Sequence, residues 1–179
     1  MIKLIVLLRG INVGGHRKIL MADLKTMCLN IGFKNPITYI QSGNLIVESD
    51  VEDLEKVKLL LTESILNTFG HQVPVLVKTV SEYEEILRNN PFYSDTIDPK
   101  QLHITFLSHP PDSEDVSKIE PTDFGIDKFK IVGDVVYLYI QTPYHKTKLS
   151  NVFFEKKLGV STTTRNWKTS NKLLSLLNK

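Results

Sequence analysis

Asn35-Pro36-Ile37-Thr38-Tyr39-Ile40-Gln41-Ser42-Gly43-Asn44-Leu45-Ile46-Val47 decides the fold. Asn35 to Gln41 reads as one strand and Leu45-Ile46-Val47 as the next. Ser42-Gly43-Asn44 between them is short and rich in turn formers, so the stretch predicts a tight β-hairpin. Pro36 falls near the start of the first strand, where its missing N–H is tolerated.

Working outward, Leu24, Met27, Cys28 and Ile31 recur at i, i+3, i+4 and i+7, which predicts a helix before the hairpin, ended by Gly32. Before that helix, the apolar run Ile2 to Leu8 reads as a central strand. After the hairpin, Ser49-Asp50 caps a second predicted helix, with Asp53 in its first turn and Val51, Leu54, Val57, Leu61 and Ile65 inward. Val73 to Val77 reads as a strand, and Pro74 suggests an edge. The order β-α-β-β-α-β is the split βαβ, ferredoxin-like arrangement, with two helices on one face of an antiparallel sheet and strands one and three central.

The second half repeats much of that order. A short acidic helix over Glu82 to Leu87 is broken at Asn89-Asn90-Pro91-Phe92, and residues 91–101 read as loop. Leu102 to Leu107 alternates as a strand, and a short helix ends near Ile119. Phe129–Val132 and Val135–Ile140 form a hairpin through Gly133-Asp134. Leu149 to Leu158 reads as a helix stopped by Gly159. Thr162-Thr163-Thr164 reads as the cap of a last helix that turns Trp167, Leu174 and Leu177 inward. The expectation is α+β: two ferredoxin-like units of antiparallel sheet with helices on one face. The first covers residues 1–80; the second covers 81–179 and ends in a basic helix.

The bulk numbers fit two small cores. The chain has 179 residues, 41% apolar and 23% charged. No apolar run approaches the ~20 residues of a membrane span, and no signal peptide is read at the start. Cys28 alone can make neither an internal disulfide nor a cysteine-built metal site, so a reducing cytoplasm is the expected compartment. On its helix stripe Cys28 reads as a core thiol rather than a nucleophile. Charge is uneven: residues 81–140 hold 12 Asp/Glu against 5 Lys/Arg, and residues 141–179 hold 8 Lys/Arg against one Glu. That asymmetry predicts an acidic and a basic face.

Three polar clusters are candidates for function. The first is the loop after strand one, Arg9-Gly10-Ile11-Asn12-Val13-Gly14-Gly15-His16-Arg17-Lys18. Its glycines offer backbone N–H groups beside positive charge, which suits an anion. Their spacing fits neither a dinucleotide fingerprint nor a Walker loop. Arg9, Asn12, Gly14, Gly15 and Lys18 are the binding candidates here, with Arg17 assisting; a Gly-rich turn with a solvated basic flank is the plainer reading. The second cluster is Gln41, Ser42 and Asn44 at the hairpin, beside Tyr39; such residues commonly hydrogen-bond their own turn. The third is Arg165, Asn166 and Lys168, read at a helix N-terminus beside Trp167 and Lys172. Five scattered histidines show no metal-binding spacing, so no metal is expected, and no carboxylate pair marks acid–base work. No catalytic residue and no cofactor is assigned.

At these clusters the chain resembles a known family. Leu8-Arg9-Gly10-Ile11-Asn12-Val13-Gly14-Gly15, Met21-Ala22-Asp23-Leu24, Tyr39-Ile40-Gln41-Ser42-Gly43-Asn44 and Thr164-Arg165-Asn166-Trp167 resemble the hallmarks of the bacterial domain of unknown function 1697. The resemblance implies a cytoplasmic bacterial protein of two ferredoxin-like parts, with no established activity, cofactor or catalytic residues. Around Pro143 to Lys148 that family is more glycine-rich than Thr142-Pro143-Tyr144-His145-Lys146, so the resemblance implies no ligand role for this loop. Three function classes stay open. The leading one is a binding module for a phosphorylated ligand, nucleotide or nucleic acid. The others are an enzyme acting on a small phosphate or acyl compound, and a structural protein that self-associates through its acidic and basic faces. No membrane partner is expected, and the oligomeric state is left open.

Overall fold

The computed structural model describes residues 1–177. The chain divides into two compact units: Met1–Glu85 with Leu173–Lys179, and Ile86–Lys172. This differs from a division at residue 80, because the last helix is shared and its end belongs to the first unit. No helix among the described residues is long and apolar enough to cross a membrane.

The first unit runs β1 (Ile2–Leu8), α1 (Met21–Asn30), β2 (Lys34–Tyr39), β3 (Asn44–Ser49), α2 (Leu54–Phe69) and β4 (Val75–Thr79). The sheet order is β2-β3-β1-β4, all antiparallel, so β1 and β3 are central and the Pro74-led strand is an edge. Alternation along β1 and β3 sends Leu4, Val6, Leu8, Leu45 and Val47 to one face. There they pack with Leu24, Met27 and Cys28 of α1 and Val57, Leu61 and Ile65 of α2. Asp53, rather than Ser49-Asp50, caps α2: its side chain accepts from the N–H groups of Glu55 and Lys56. Ser49 instead closes a local turn, accepting from Val51 N–H at 3.0 Å.

The opposite face of this sheet is not bare. Ile5 and Leu7, pointing away from α1 and α2, are fully buried, and Ile46 is 2% exposed. The end of the last helix lies there: Lys3 Nζ donates to the Leu177 carbonyl at 2.8 Å, and Leu176 borders a small cleft with Ile37 and Ile46. The platform that ferredoxin-like RNA binders leave open for stacking bases is therefore covered.

The second unit holds β5 (Leu102–Leu107), α4 (Ser113–Ile119), β6 (Lys128–Val132), β7 (Val135–Tyr139), α5 (Asn151–Leu158) and β8 (Thr162–Asn166). Helix α3 (Val80–Arg88) precedes them, and α6 (Trp167–Leu177) follows. The order β6-β7-β5-β8 repeats that of the first sheet. Leu107, Val136 and Leu138 pack against Ile119 of α4 and Phe154 and Leu158 of α5. The expected helix cap at Thr162-Thr163-Thr164 is instead β8, which completes a full βαββαβ unit. Three β-branched residues favour a pleated strand. They find their partner far away, with Thr105 opposite Thr164 and Phe106 opposite Thr163.

Candidate functional site

The antiparallel pairing of β1 and β3 puts Leu7 opposite Asn44. The end of strand one and the hairpin turn therefore share one end of the sheet, and the first two polar clusters meet there. Leu8 N–H donates to the Gly43 carbonyl at 2.8 Å, and Arg9 N–H to the Pro74 carbonyl at 3.0 Å.

From this corner the chain leaves as a small β-finger. Asn12 N–H bonds the Arg17 carbonyl at 3.2 Å, and His16 N–H bonds the Val13 carbonyl at 3.0 Å. Gly14 and Gly15, with φ of 59° and 79°, fill the two central positions. Positive φ at both positions is the type I′ geometry that twists with its strands and favours glycine. The glycine pair is thus accounted for by the turn itself. Buried Ile11 and Ile19 hold the base of the finger in the core.

Asn12 pins the finger. Its Oδ1 accepts from Ile19 N–H at 2.9 Å, and its Nδ2 donates to the carbonyls of Ile19 at 2.9 Å and Gln41 at 2.8 Å. It does so from a left-handed backbone, φ 56°, which asparagine tolerates better than most residues. Both ends of its amide are committed to positioning. Asn12 is half-buried, whereas Asn44 is fully buried, with Nδ2 donating to the Tyr39 carbonyl and to Ser42 Oγ, each at 3.0 Å. Gln41 contributes its carbonyl and leaves its side chain exposed, while Ser42 is half-buried.

The exposed groups are cationic. His16, Arg17 and Lys18 are all exposed, and none has an ion-pair partner among the described residues. Arg17 Nη1 lies over Gly10, 3.3 Å from where a Cβ would stand. Arg9 is half-buried beside it in sequence. Val13 and Ile40 are also exposed, by 63% and 50%.

The third cluster belongs to the second unit and differs from its reading. Arg165 is in strand β8, not at a helix N-terminus with Lys168. It is 7% exposed, and Nη1 donates to Thr163 Oγ1 at 2.7 Å and to the Thr164 carbonyl at 3.0 Å. Asn166 accepts from Thr169 N–H at 2.8 Å and so caps α6, while Lys168 is exposed. Trp167 is 8% exposed and stacks on Tyr93 at 5.2 Å, which makes it a packing residue.

The sequence reading passed over a second buried polar feature. Asp127 accepts from Gln141 N–H at 2.9 Å, Thr142 N–H at 3.0 Å, Thr142 Oγ1 at 2.6 Å and Thr147 Oγ1 at 2.8 Å. Burial pushes its pKa up, but these donors outweigh burial and hold it below the ordinary value. The carboxylate thus ties both ends of the turn at Tyr144–Lys146. Its only signal in the sequence was an acidic residue ahead of a hairpin, which does not identify an anchor. No group of His, Cys, Asp and Glu suited to a metal ion occurs among the described residues.

A family model described as a protein of unknown function (DUF1697) matches residues 1–137. The solved structure of the conserved bacterial protein SP0830 from Streptococcus pneumoniae superposes with a TM-score of 0.76 at 24% identity. That match covers 100% of this chain and 99% of the other, and shows a shared fold. No curated protein matches the chain.

Proposed function

Given that the chain belongs to the DUF1697 family of proteins of unknown function, a membership that brings no activity with it, we propose that its first unit binds a phosphate-bearing polyanion, the backbone of a nucleic acid. The observation that carries this is the pinned finger. Asn12 and the Gly14-Gly15 turn hold Arg17 and Lys18, with His16, on an exposed element that has no neutralising partner among the described residues. Ordered cations on a rigid, exposed hairpin suit a surface of repeating phosphates, where each contact releases a counterion. A free nucleotide would call for an enclosing pocket with polar groups turned inward. Here the amides of Asn12 and Asn44 are turned to their own backbone. The covered sheet face directs the reading away from base stacking and toward sequence-independent backbone contact.

Fluorescence anisotropy with a labelled duplex tests it. Wild type should lose affinity steeply with salt, and the double substitution Arg17→Ala/Lys18→Ala should flatten the log–log salt slope by about 2, near one unit per phosphate contact removed. A salt-independent affinity, or a slope unchanged in the double variant, would overturn the proposal.

A further inference from the structure

The surface around the finger is apolar as well as cationic. Val13, Leu20 and Ile40 are exposed by 63%, 65% and 50%. Single exposed apolar residues are ordinary on a protein surface, but these three surround one amide. Val13 follows Asn12 in the chain. Leu20 follows Ile19, whose N–H and carbonyl both bond the Asn12 side chain at 2.9 Å. Ile40 precedes Gln41, whose carbonyl accepts from Asn12 Nδ2 at 2.8 Å. Ile40 is also strained: its φ of 50° is a left-handed conformation that a β-branched residue rarely adopts. Backbone strain of that kind persists only where the surrounding structure imposes it, and it gathers at ligand-binding positions.

Phosphate contacts account for the cations, but phosphates offer nothing to valine or isoleucine. A DNA duplex offers apolar surface at the C5-methyl groups of thymine, which lie in the major groove. The finger has the form to reach them. Every residue from Val13 to Lys18 is exposed, between buried Ile11 and Ile19. The Val13–His16 bridge and the 3.2 Å hydrogen bond from Asn12 N–H to the Arg17 carbonyl make this stretch a two-stranded ribbon. Each side, Asn12–Gly14 and Gly15–Arg17, extends at most about 10 Å at ~3.3 Å per residue. The major groove of B-DNA, about 12 Å wide and about 8.5 Å deep, admits such a ribbon, whereas the minor groove, about 6 Å wide, is too narrow. The major groove of A-form RNA is too deep and narrow for side chains to read. Val13 stands directly before the Gly14-Gly15 turn and is the apolar side chain at the tip.

We propose that the finger enters the major groove of duplex DNA, where Val13 covers thymine methyl groups, Leu20 and Ile40 lie against the deoxyribose of the groove wall, and Arg17 and Lys18 hold the flanking phosphates. This rests on the polyanion reading and names its substrate as a DNA rather than an RNA duplex. It adds a preference for thymine to an affinity that the phosphates alone leave independent of sequence.

Anisotropy titrations test it with a labelled A·T-rich DNA duplex, the same duplex with deoxyuridine for every thymidine, and the RNA duplex of the same sequence. Deoxyuridine removes the methyl group and leaves charge and pairing as they were. It should weaken wild-type binding about fourfold for each methyl covered, and the RNA duplex, which excludes the ribbon, should bind more weakly still. Val13→Ser, at an exposed position, should bring the thymidine duplex down to the affinity of the deoxyuridine duplex and leave the salt slope unchanged. Equal wild-type affinity for the two DNA duplexes, a thymidine preference that survives Val13→Ser, or an RNA duplex bound as tightly as DNA overturns the proposal; a steep salt slope in the same titrations would leave the polyanion reading standing. Loss of the salt slope removes that reading and the proposal with it.

Discussion

Replacing Gly43 by alanine should do more harm than any other single methyl group added to the first unit. A Cβ there would stand 2.6 Å from Leu8 Cβ, 3.1 Å from Ile11 Cγ1 and 3.1 Å from the Leu8 carbonyl oxygen. Leu8 and Ile11 are fully buried, so neither can swing away as a flexible surface side chain would. The Gly43 φ of 82° adds the left-handed penalty of an L-residue, roughly 1–2 kcal/mol. Overpacking a rigid core adds about 1–3 kcal/mol, which brings the expected loss to roughly 2–5 kcal/mol. Gly70, with φ 72° and nothing within 4 Å of its missing Cβ, isolates the backbone part. Gly70→Ala should therefore cost only about 1–2 kcal/mol. Urea unfolding by far-UV circular dichroism compares the two, and hydrogen exchange of the Leu8 amide, which donates to Gly43, localises the damage. The single tryptophan, Trp167, reports on the other unit and is the wrong probe. Equal destabilisation by the two substitutions would refute the close-approach argument.

Three further outcomes follow from the same coordinates. Asn12→Ala leaves Ile19 N–H and two carbonyls without their side-chain partner, and should cost about 1–3 kcal/mol by urea unfolding while weakening polyanion binding as the finger loosens; unchanged stability would show that the pin is idle. Asp127→Asn should cost about 2 kcal/mol at pH 7, because the carboxylate accepts four hydrogen bonds. Since the folded pKa is depressed, its contribution is complete above the unfolded carboxylate pKa of about 3.9 and fades as pH falls through the folded value. Urea midpoints of wild type and variant should therefore converge in acid, and a gap independent of pH would contradict the anchor. Cys28, buried and with its thiol pushed up to about 12, should resist a thiol reagent at pH 8 until the protein unfolds; native-state labelling at the unfolded rate would contradict its burial.

The first unit was legible because its signals are local. The apolar run of Ile2–Leu8, the stripe of Leu24, Met27 and Cys28, and the turn at Ser42-Gly43-Asn44 each fix an element without help from afar. Strand β8 was not legible, because threonine serves equally as a helix cap and as a strand residue. What decided was the pairing of Thr164 with Thr105, 59 positions away. The same limit hid the cap of α2, where Ser49 and Asp53 both fit and only geometry chose Asp53. In the candidate site the sequence located the polar clusters but not the hydrogen bonds within them: Gly14 and Gly15 sit at the two positive-φ positions of the turn, Asn12 bonds the backbone of Ile19 and Gln41, and Asn44 bonds the Tyr39 carbonyl and Ser42 Oγ. The stacking of Tyr144 on His103 was not legible either, because nothing in a sequence marks two distant rings as stacked.

The internal repeat sharpens which features a function must explain. At the end of β1, Leu8 N–H bonds the hairpin carbonyl of Gly43 and Arg9 N–H bonds Pro74, just before the last strand. At the end of β5, Leu107 N–H bonds the hairpin carbonyl of Asp134 and Ser108 N–H bonds Ser161, again just before the last strand. A corner made twice by unlike side chains, Arg9 once and Ser108 once, is required by the topology and needs no ligand. The finger occurs once, after the first corner; the second continues into His109-Pro110-Pro111 and α4. Substitutions at the shared corner should therefore act on stability in whichever unit carries them, and a substitution in the finger that leaves the urea midpoint in place is the one that can test the polyanion binding proposed above.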